Sequence, residues 1–436
     1  MAGSLACRPA PERRPDVIVY LVDTLRADHL GCYGYPRETS PEIDAFAAES
    51  VLFENAVAQS GWTRPSVTSL LTGLDPHSHG VQRRLDGLPE SFDTLPEILR
   101  RDGYQTAAFV SSAVITSRFG FAQGFDTFEQ RTKETIEPER PTSEWVDEAA
   151  LGWLERRDPD RPFFLFLHTL DPHMPYRPPE PFRRRLAPGA DLRSGELEQV
   201  VAVRDGQRPT TARDRQDIPA LYDAEIAGND AAFGRLVREL RARGLYEPLL
   251  LVFVSDHGEE LFDHGGWEHG ATLYQELIHV PLLLKLPRGA GAGRRIGERV
   301  RQIDVLPTVL EVLGGAIPHS IQGRSLLPLL QAPSRRPPPA FSSLDLDGRR
   351  IESAVLGNRK LIHTLAHDRR PAGVELYDLA ADPGETKNLA ATDPGTVRGL
   401  LWLIEQRARA GAAPPATPVS LDPELEKQLR ALGYLR

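Results

Sequence analysis

The chain has 436 residues, with 52 Lys+Arg against 61 Asp+Glu and a formal net charge of −9. That acidic balance argues against a general nucleic-acid binder, whose phosphate contacts call for a basic surplus. With 40% hydrophobic and 26% charged residues the composition is that of a globular protein with a large core, which excludes disorder as the main state.

Residues 1–15, MAGSLACRPAPERRP, lack the apolar stretch of a secretory signal and predict a disordered leader. As written, the leader points to a cytoplasmic protein. Leu5-Ala6-Cys7 before a Pro/Arg-rich stretch equally resembles the end of a lipoprotein signal, which would place a longer form of the chain in the cell envelope. The two cysteines, Cys7 and Cys32, form neither a disulfide framework nor a CxxC pair, so structural zinc and thiol chemistry drop out.

Short β-branched or aromatic runs then alternate with amphipathic segments, the pattern of a mostly parallel sheet covered by helices on both faces. The expected strands are VIVYLV (17–22), QTAAFV (105–110), FFLFLH (163–168), LLLVFVS (249–255) and VPLLLKL (280–286). All are far shorter than the roughly 20 apolar residues of a membrane-spanning helix. The expected helices cover 41–49, with Ser40 as cap and Pro41 at the first helical position, then 94–101, 143–156, and 218–243 closed by Gly244. Residues 177–215, rich in Pro, Arg and Gly and without periodicity, read as a surface excursion suited to a lid. A proline run after the 307–315 helix sets a boundary near Arg335, giving a core over 16–335 and a small α+β domain over 336–436. That second domain is expected to hold antiparallel segments at 353–356, 360–363 and 374–379, with closing helices near 397–408 and 423–432.

Chemistry collects at the strand ends. Asp23 follows VIVYLV, and Asp256-His257-Gly258 follows LLLVFVS, so acids and an imidazole sit at the edge where open α/β sheets bind ligands. Carboxylates buried there need a cation or hydrogen bonds, and a divalent metal meets that need. The alternative for each Asp taken alone is capping of the next helix. Thr63 opens TRPSVTSLLTG, a loop turning into a helix, where a hydroxyl faces backbone N–H groups and suits attack on an anionic ester; capping is again the alternative.

Seven blocks in order resemble the sulfatase family of the alkaline phosphatase superfamily. They are LVDTLRADHLGCYGY (21–35), TSPEIDAFA (39–47), TRPSVTSLLTG (63–73), HTLDPHMPY (168–176), VSDHGEELFDHGGWEHGATLYQELIHVPLLL (254–284), QIDVLPTVLEVLG (302–314) and ELYDLAADPGETKNLA (375–390). The resemblance spans nearly the whole chain. It implies an α/β fold, an alkaline-phosphatase-like αβα sandwich with a mostly parallel central sheet and a smaller C-terminal α+β domain, with a divalent-cation site beside a nucleophile.

The departures matter as much. Sulfatases carry a Cys or Ser that is oxidised to formylglycine in a C/S-x-P-x-R signature, where this chain has Thr63 and, for the arginine, Val67. Threonine cannot become formylglycine. The family's paired aspartates are Asp23-Thr24 here, its Asp-Asn is Asp256-His257, and a later lysine is His269. The set resembles phosphodiesterases and phosphoglycol or phosphoethanolamine transferases of the same superfamily, in which the threonine oxygen is both ligand and nucleophile.

The resulting expectation is metal-dependent hydrolysis of a small anionic ester, a phosphodiester or phosphonate monoester first, with sulfate-ester hydrolysis and a non-catalytic binding module as alternatives. One divalent ion (Mn, Zn, Ca or Mg) is expected on Asp23, Thr63, Asp256 and His257. Thr63, His173 and His269 are the expected catalytic residues, and Arg26 and His264 the substrate-binding ones, with Arg26 alternatively pairing a core acid. Asp171, His173 and His269 could instead hold a second ion. His29, His77 and His79 are expected to make structural hydrogen bonds.

Overall fold

The computed structural model describes residues 14–136, 140–204, 207–365, 373–411, 416, 418–421 and 423–431. The expected leader, except for its last two residues, lies outside them, Cys7 included. In chain order the strands of the core are β1 (Val17–Val22), β2 (Val51–Val57), β3 (Gln105–Ser111), β4 (Thr127–Arg131), β5 (Phe163–Thr169), β6 (Leu250–Ser255), β7 (Glu260–Leu261), β8 (Trp267–Glu268), β9 (His279–Val280), β10 (Leu282–Lys285) and β11 (Arg295–Arg301). β7 and β8 form a separate two-stranded hairpin. The others form a nine-stranded sheet in the order β11-β2-β10-β6-β1-β5-β3-β4, with β9 also on β2. The run β6-β1-β5-β3-β4 is parallel throughout, and β10 is antiparallel to both its neighbours.

β1, β5 and β6 are apolar along their length because both faces of the sheet are covered. Val17, Val19 and Leu21 face one core, shared with Val67, Leu70 and Leu71 of the helix Thr63–Thr72. Ile18, Tyr20 and Val22 face the other, with Leu221, Phe233 and Leu236 of the helix Ala212–Ala242. Each such side chain contributes about 1.5–3 kcal/mol by leaving water. The chain is therefore an α/β protein with an αβα core. After it, β12 (Ala340–Leu346), β13 (Arg349–Leu356), β14 (Arg359–Leu365) and β15 (Gly373–Asp378) form an antiparallel sheet in that order, covered by the helix Pro394–Ala410.

Three strands of the nine-stranded sheet escaped the periodicity reading. β2 carries half-buried Glu54 and Asn55 in its middle, while β4 and β11 are sheet edges with charged, partly exposed positions. Pro281 splits the expected 280–286 strand into β9 and β10. The long helix starts at Ala212, not 218, because Thr211 and Asp214 form a capping box and Pro219 is tolerated inside. The excursion contains the helices Glu180–Leu186 and Leu197–Arg204. Ser40 makes no cap bond: its hydroxyl accepts from the Gly31 N–H and donates to Asp44. Among the described residues no helix is long and apolar enough to cross a membrane.

Candidate active site

Strand register builds the site. β1 pairs in parallel with β6 so that Val22 faces Ser255, which places Asp23 beside Asp256 at the same sheet edge. On its other side Leu21 faces His168 of β5. Thr24 then turns the chain in the left-handed region (φ 56°), a strained conformation for a β-branched residue. It is held there by its N–H to Asp256 Oδ1 (3.2 Å) and by Tyr222 Oη–H donating to its carbonyl (2.6 Å). The Ser255 hydroxyl accepts the Leu25 N–H (3.0 Å) and donates to the His257 carbonyl (2.7 Å), tying the two strand exits together.

The helix Thr63–Thr72 delivers the threonine. Ser66 bridges the Asp256 carbonyl and Gln302 Oε1, both at 2.6 Å, and Gln302 Nε2 donates to the Ser255 and Asp256 carbonyls. Gln302 thus joins the threonine helix to the end of β6. Thr63 Oγ1 lies 3.2 Å from His257 Nε2.

Asp23, Asp256 and His257 are fully buried, and each offers a ligand atom within 4.8 Å of the others. His257 Nδ1–H donates to the Gly258 carbonyl (2.8 Å), which leaves the Nε2 lone pair facing the acids. Nε2 is 3.3 Å from Asp256 Oδ2 and 3.9 Å from Asp23 Oδ1. Asp256 Oδ1 accepts two backbone N–H groups, from Thr24 and His257, but Asp256 Oδ2 and both oxygens of Asp23 meet no hydrogen-bond donor among the described residues. Burial, reinforced by the Glu259 charge, raises the Asp23 carboxyl well above its usual range. Burial and the adjacent Asp23 push Asp256 up to about 6, and burial lowers His257 to about 4. Three buried carboxylate oxygens without a donor and a neutral imidazole are unfavourable for a bare pocket and suited to a divalent cation, so these residues fit the expected metal.

The structure also gathers His173 and His269. Their ring centroids are 5.1 Å apart, and His269 lies 4.6 Å from His257. His173 Nδ1 bonds the Met174 carbonyl (2.5 Å), and His269 Nδ1 bonds Glu259 Oε1 (2.9 Å). Burial and the adjacent His269 hold His173 well below the usual imidazole range.

The other expected residues are engaged elsewhere. Arg26 donates bidentately to Asp28 and to Asp263, with a further bond to the Glu259 carbonyl, so its alternative reading as an acid partner describes it and the substrate-binding one does not. His264 bonds Glu276 (2.6 Å) and stacks on Tyr274 at 3.6 Å. Burial works against its charged form, but the Glu276 bond and charge carry it up to about 9. Asp171 spends both oxygens on the N–H groups of Thr142 and Ser143 at a helix start, so the second-ion set of Asp171, His173 and His269 does not form. His29 pairs with Asp223, His77 with Glu352 and His79 with Ser69.

Two residues of the site were not singled out from the sequence. His168 Nε2 lies 3.4 Å from Asp23 Oδ2, and buried Glu259 orients His269. His168 lies one residue before the end of an apolar strand and Glu259 follows Asp-His-Gly, which are the signals that mark them.

Gly258 gives a direct test of this packing. A Cβ there would lie 2.0 Å from the Glu276 carbonyl oxygen, a backbone atom that cannot turn aside. Gly258→Ala is expected to displace His257 and weaken divalent-ion affinity at least about tenfold by calorimetry; unchanged affinity would refute the role given to this contact.

Comparison with known proteins agrees with this architecture. The Sulfatase family matches residues 15–316, and the family described as N-sulphoglucosamine sulphohydrolase, C-terminal, matches 263–398. An N-acetylglucosamine-6-O-sulfatase of Bacteroides thetaiotaomicron is 24% identical, over 89% of this chain and 85% of its own. Arylsulfatase K of Xenopus laevis is 25% identical, over 83% and 76%. Among solved structures, a protein in complex with its substrate D-glucosamine-2-N,6-O-disulfate superposes with a TM-score of 0.78 at 21% identity, covering 91% of this chain and 99% of that one. Phosphonate monoester hydrolase of Agrobacterium radiobacter superposes with a TM-score of 0.73 at 24% identity, over 92% and 96%. With the family match running through β1, the Thr63 helix and the Asp256-His257 strand end, the chain belongs to the sulfatase family of ester hydrolases, in the alkaline-phosphatase-like superfamily.

Proposed function

We propose that this chain hydrolyses a monoanionic ester at Thr63, with a sulfate ester as the first substrate class. The observation that carries the reading is the charge inventory. One divalent ion would be balanced by Asp23 and Asp256, with His257 neutral, and the neighbouring cations are spent elsewhere. Arg26 is held by two carboxylates, Arg64 stacks on Phe119 with its Nε on the Val114 carbonyl, and Lys133 is bound by two carbonyls and Glu225. Such a site matches a sulfate monoester, a phosphodiester or a phosphonate monoester, each with a single negative charge, better than a dianionic phosphate monoester.

Among the monoanionic classes the named relatives favour sulfate, which reverses the order expected from the sequence. The phosphodiester or phosphonate reading is kept as second on Thr63 itself, since a phosphothreonine is turned over more readily than a sulfated threonine, and a phosphonate monoester hydrolase shares the fold.

Asp23, Thr63, Asp256 and His257 would hold the ion, which when bound supplies Lewis-acid charge to the ester oxygens and lowers the pKa of the threonine hydroxyl. Thr63 Oγ1 passes its proton to the adjoining imidazole of His269 or His173 and attacks sulfur or phosphorus, and the bond to the leaving oxygen breaks. The leaving alkoxide takes a proton from His173 or His269, whose imidazoles adjoin. Glu259 fixes the His269 ring for that transfer. Water, deprotonated by the same imidazole, then attacks the central atom of the threonine ester, and the imidazole returns that proton to the departing Thr63 oxygen.

Aryl sulfate, bis-aryl phosphate, aryl phosphonate and aryl phosphate assayed with Mn, Zn, Ca and Mg test the proposal. The three monoanionic esters are expected to exceed the dianionic one by about a hundredfold or more in kcat/KM, with sulfate foremost. Preference for the dianionic monoester would defeat the charge argument, and preference for the diester or phosphonate would install the second reading.

A further inference from the structure

The segment from His257 to Ile278 carries a proposed metal ligand, the orienting Glu259 and His269, and it is tied to the C-terminal domain at His264, Tyr274 and Gln275. Its own ends meet first: the Gly258 N–H donates to the Leu277 carbonyl (2.9 Å), and the Glu276 carbonyl lies against Gly258. The Gln275 N–H then donates to Glu385 Oε2 (2.6 Å). Glu385 forms a fully buried ion pair with Lys360 of β14 (2.7 Å). Its backbone stands in the left-handed region (φ 50°), next to a turn in which Asp382 accepts the Lys387 N–H and the Thr386 hydroxyl. Its carbonyl accepts His264 Nε2 (3.4 Å), whose other nitrogen bonds Glu276. Tyr274, stacked on His264, donates to Glu375 of β15 (2.7 Å).

A strained backbone and a fully desolvated ion pair are unfavourable features, retained here at a point where the C-terminal domain grips the loop of the catalytic histidines. From this we propose that Glu385 is a positioning residue: through it the C-terminal domain sets the placement of His257 and His269 and so the rate of the reaction proposed above, on which this inference rests. His264 and Glu276 relay the grip and do not contact the ester.

Hydrogen exchange and steady-state kinetics on the full chain test this. In Glu385→Gln the amides of residues 258–277 should exchange at least about tenfold faster while β1 and β6 stay protected, and kcat should fall about tenfold with KM within about twofold. The double variant Lys360→Met/Glu385→Gln removes the stranded buried cation. It should recover the thermal midpoint yet keep the faster exchange and the lower kcat. Unchanged exchange over 258–277, or a kcat that returns together with the midpoint, overturns the proposal. If the unmodified chain turns over none of the esters, the proposed function fails and the exchange measurement alone decides the positioning role.

Discussion

Thr63→Ala should lower kcat by about a thousandfold or more on whichever ester the chain hydrolyses, with little change in stability. The helix Thr63–Thr72 begins after Trp62, and no side chain caps it, so the Thr63 hydroxyl is not needed for the fold. It lies inside the acid cluster, 3.2 Å from His257 Nε2 and beside Asp23. Loss of one methyl and one hydroxyl at that position should shift stability by about 1 kcal/mol or less. Thr63→Ser keeps the oxygen and should retain most of the rate. The measurement is kcat for both variants beside thermal melts, and an alanine variant that works at the wild-type rate would remove Thr63 from the chemistry.

The second large effect concerns the cation. Saturating divalent ion, at roughly 100 to 1,000 times its Kd, should stabilise the chain by about 3–4 kcal/mol. The sign of the pH dependence follows from the carboxyls. In the metal-free protein burial and Asp23 push Asp256 up to about 6, and burial and Glu259 raise Asp23 well above its ordinary range, so at low pH protons occupy the ligand oxygens and compete with the ion. His257, lowered to about 4, is already neutral and adds no competition above that value. Affinity should therefore rise with pH, by at least about tenfold between about pH 5 and pH 7.5. Asp256→Asn keeps the side-chain shape but loses a charge, and should weaken binding about a hundredfold or more. Titration calorimetry with Mn at the two pH values decides the matter: equal affinity at both, or an Asn variant that binds as tightly, would place the ion elsewhere.

Several of the site residues were legible in the chain because their signals are local. An acid directly after an apolar strand, a hydroxyl opening a helix and an Asp-His pair each announce themselves within a few residues. Arg26 and His264 carry the same kind of signal, yet the first is taken by Asp28 and Asp263 and the second by Glu276 and the C-terminal domain. Asp171 is likewise spent on a helix start. Apart from Asp28, two residues from Arg26, the competing partners lie elsewhere in the chain, and a charged side chain facing two candidate partners gives no local sign of which one it will take.

By itself, then, the sequence determined the parallel apolar strands and the sheet edge at which Asp23, Thr63, Asp256 and His257 come together, because hydrophobic periodicity and strand-end acids are properties of short windows. The tertiary structure alone decided that His168 and Glu259 join them, that no second-ion set forms on Asp171, and that the 257–278 segment is held by Glu385. Those outcomes depend on which strands pair and in what register: β1 between β5 and β6, β10 reversed against β6, and the second sheet against the loop. Apart from β10 on β6, such pairings join residues more than a hundred positions apart in the chain, and all are selected by the packing of whole faces against one another rather than by any one segment's composition.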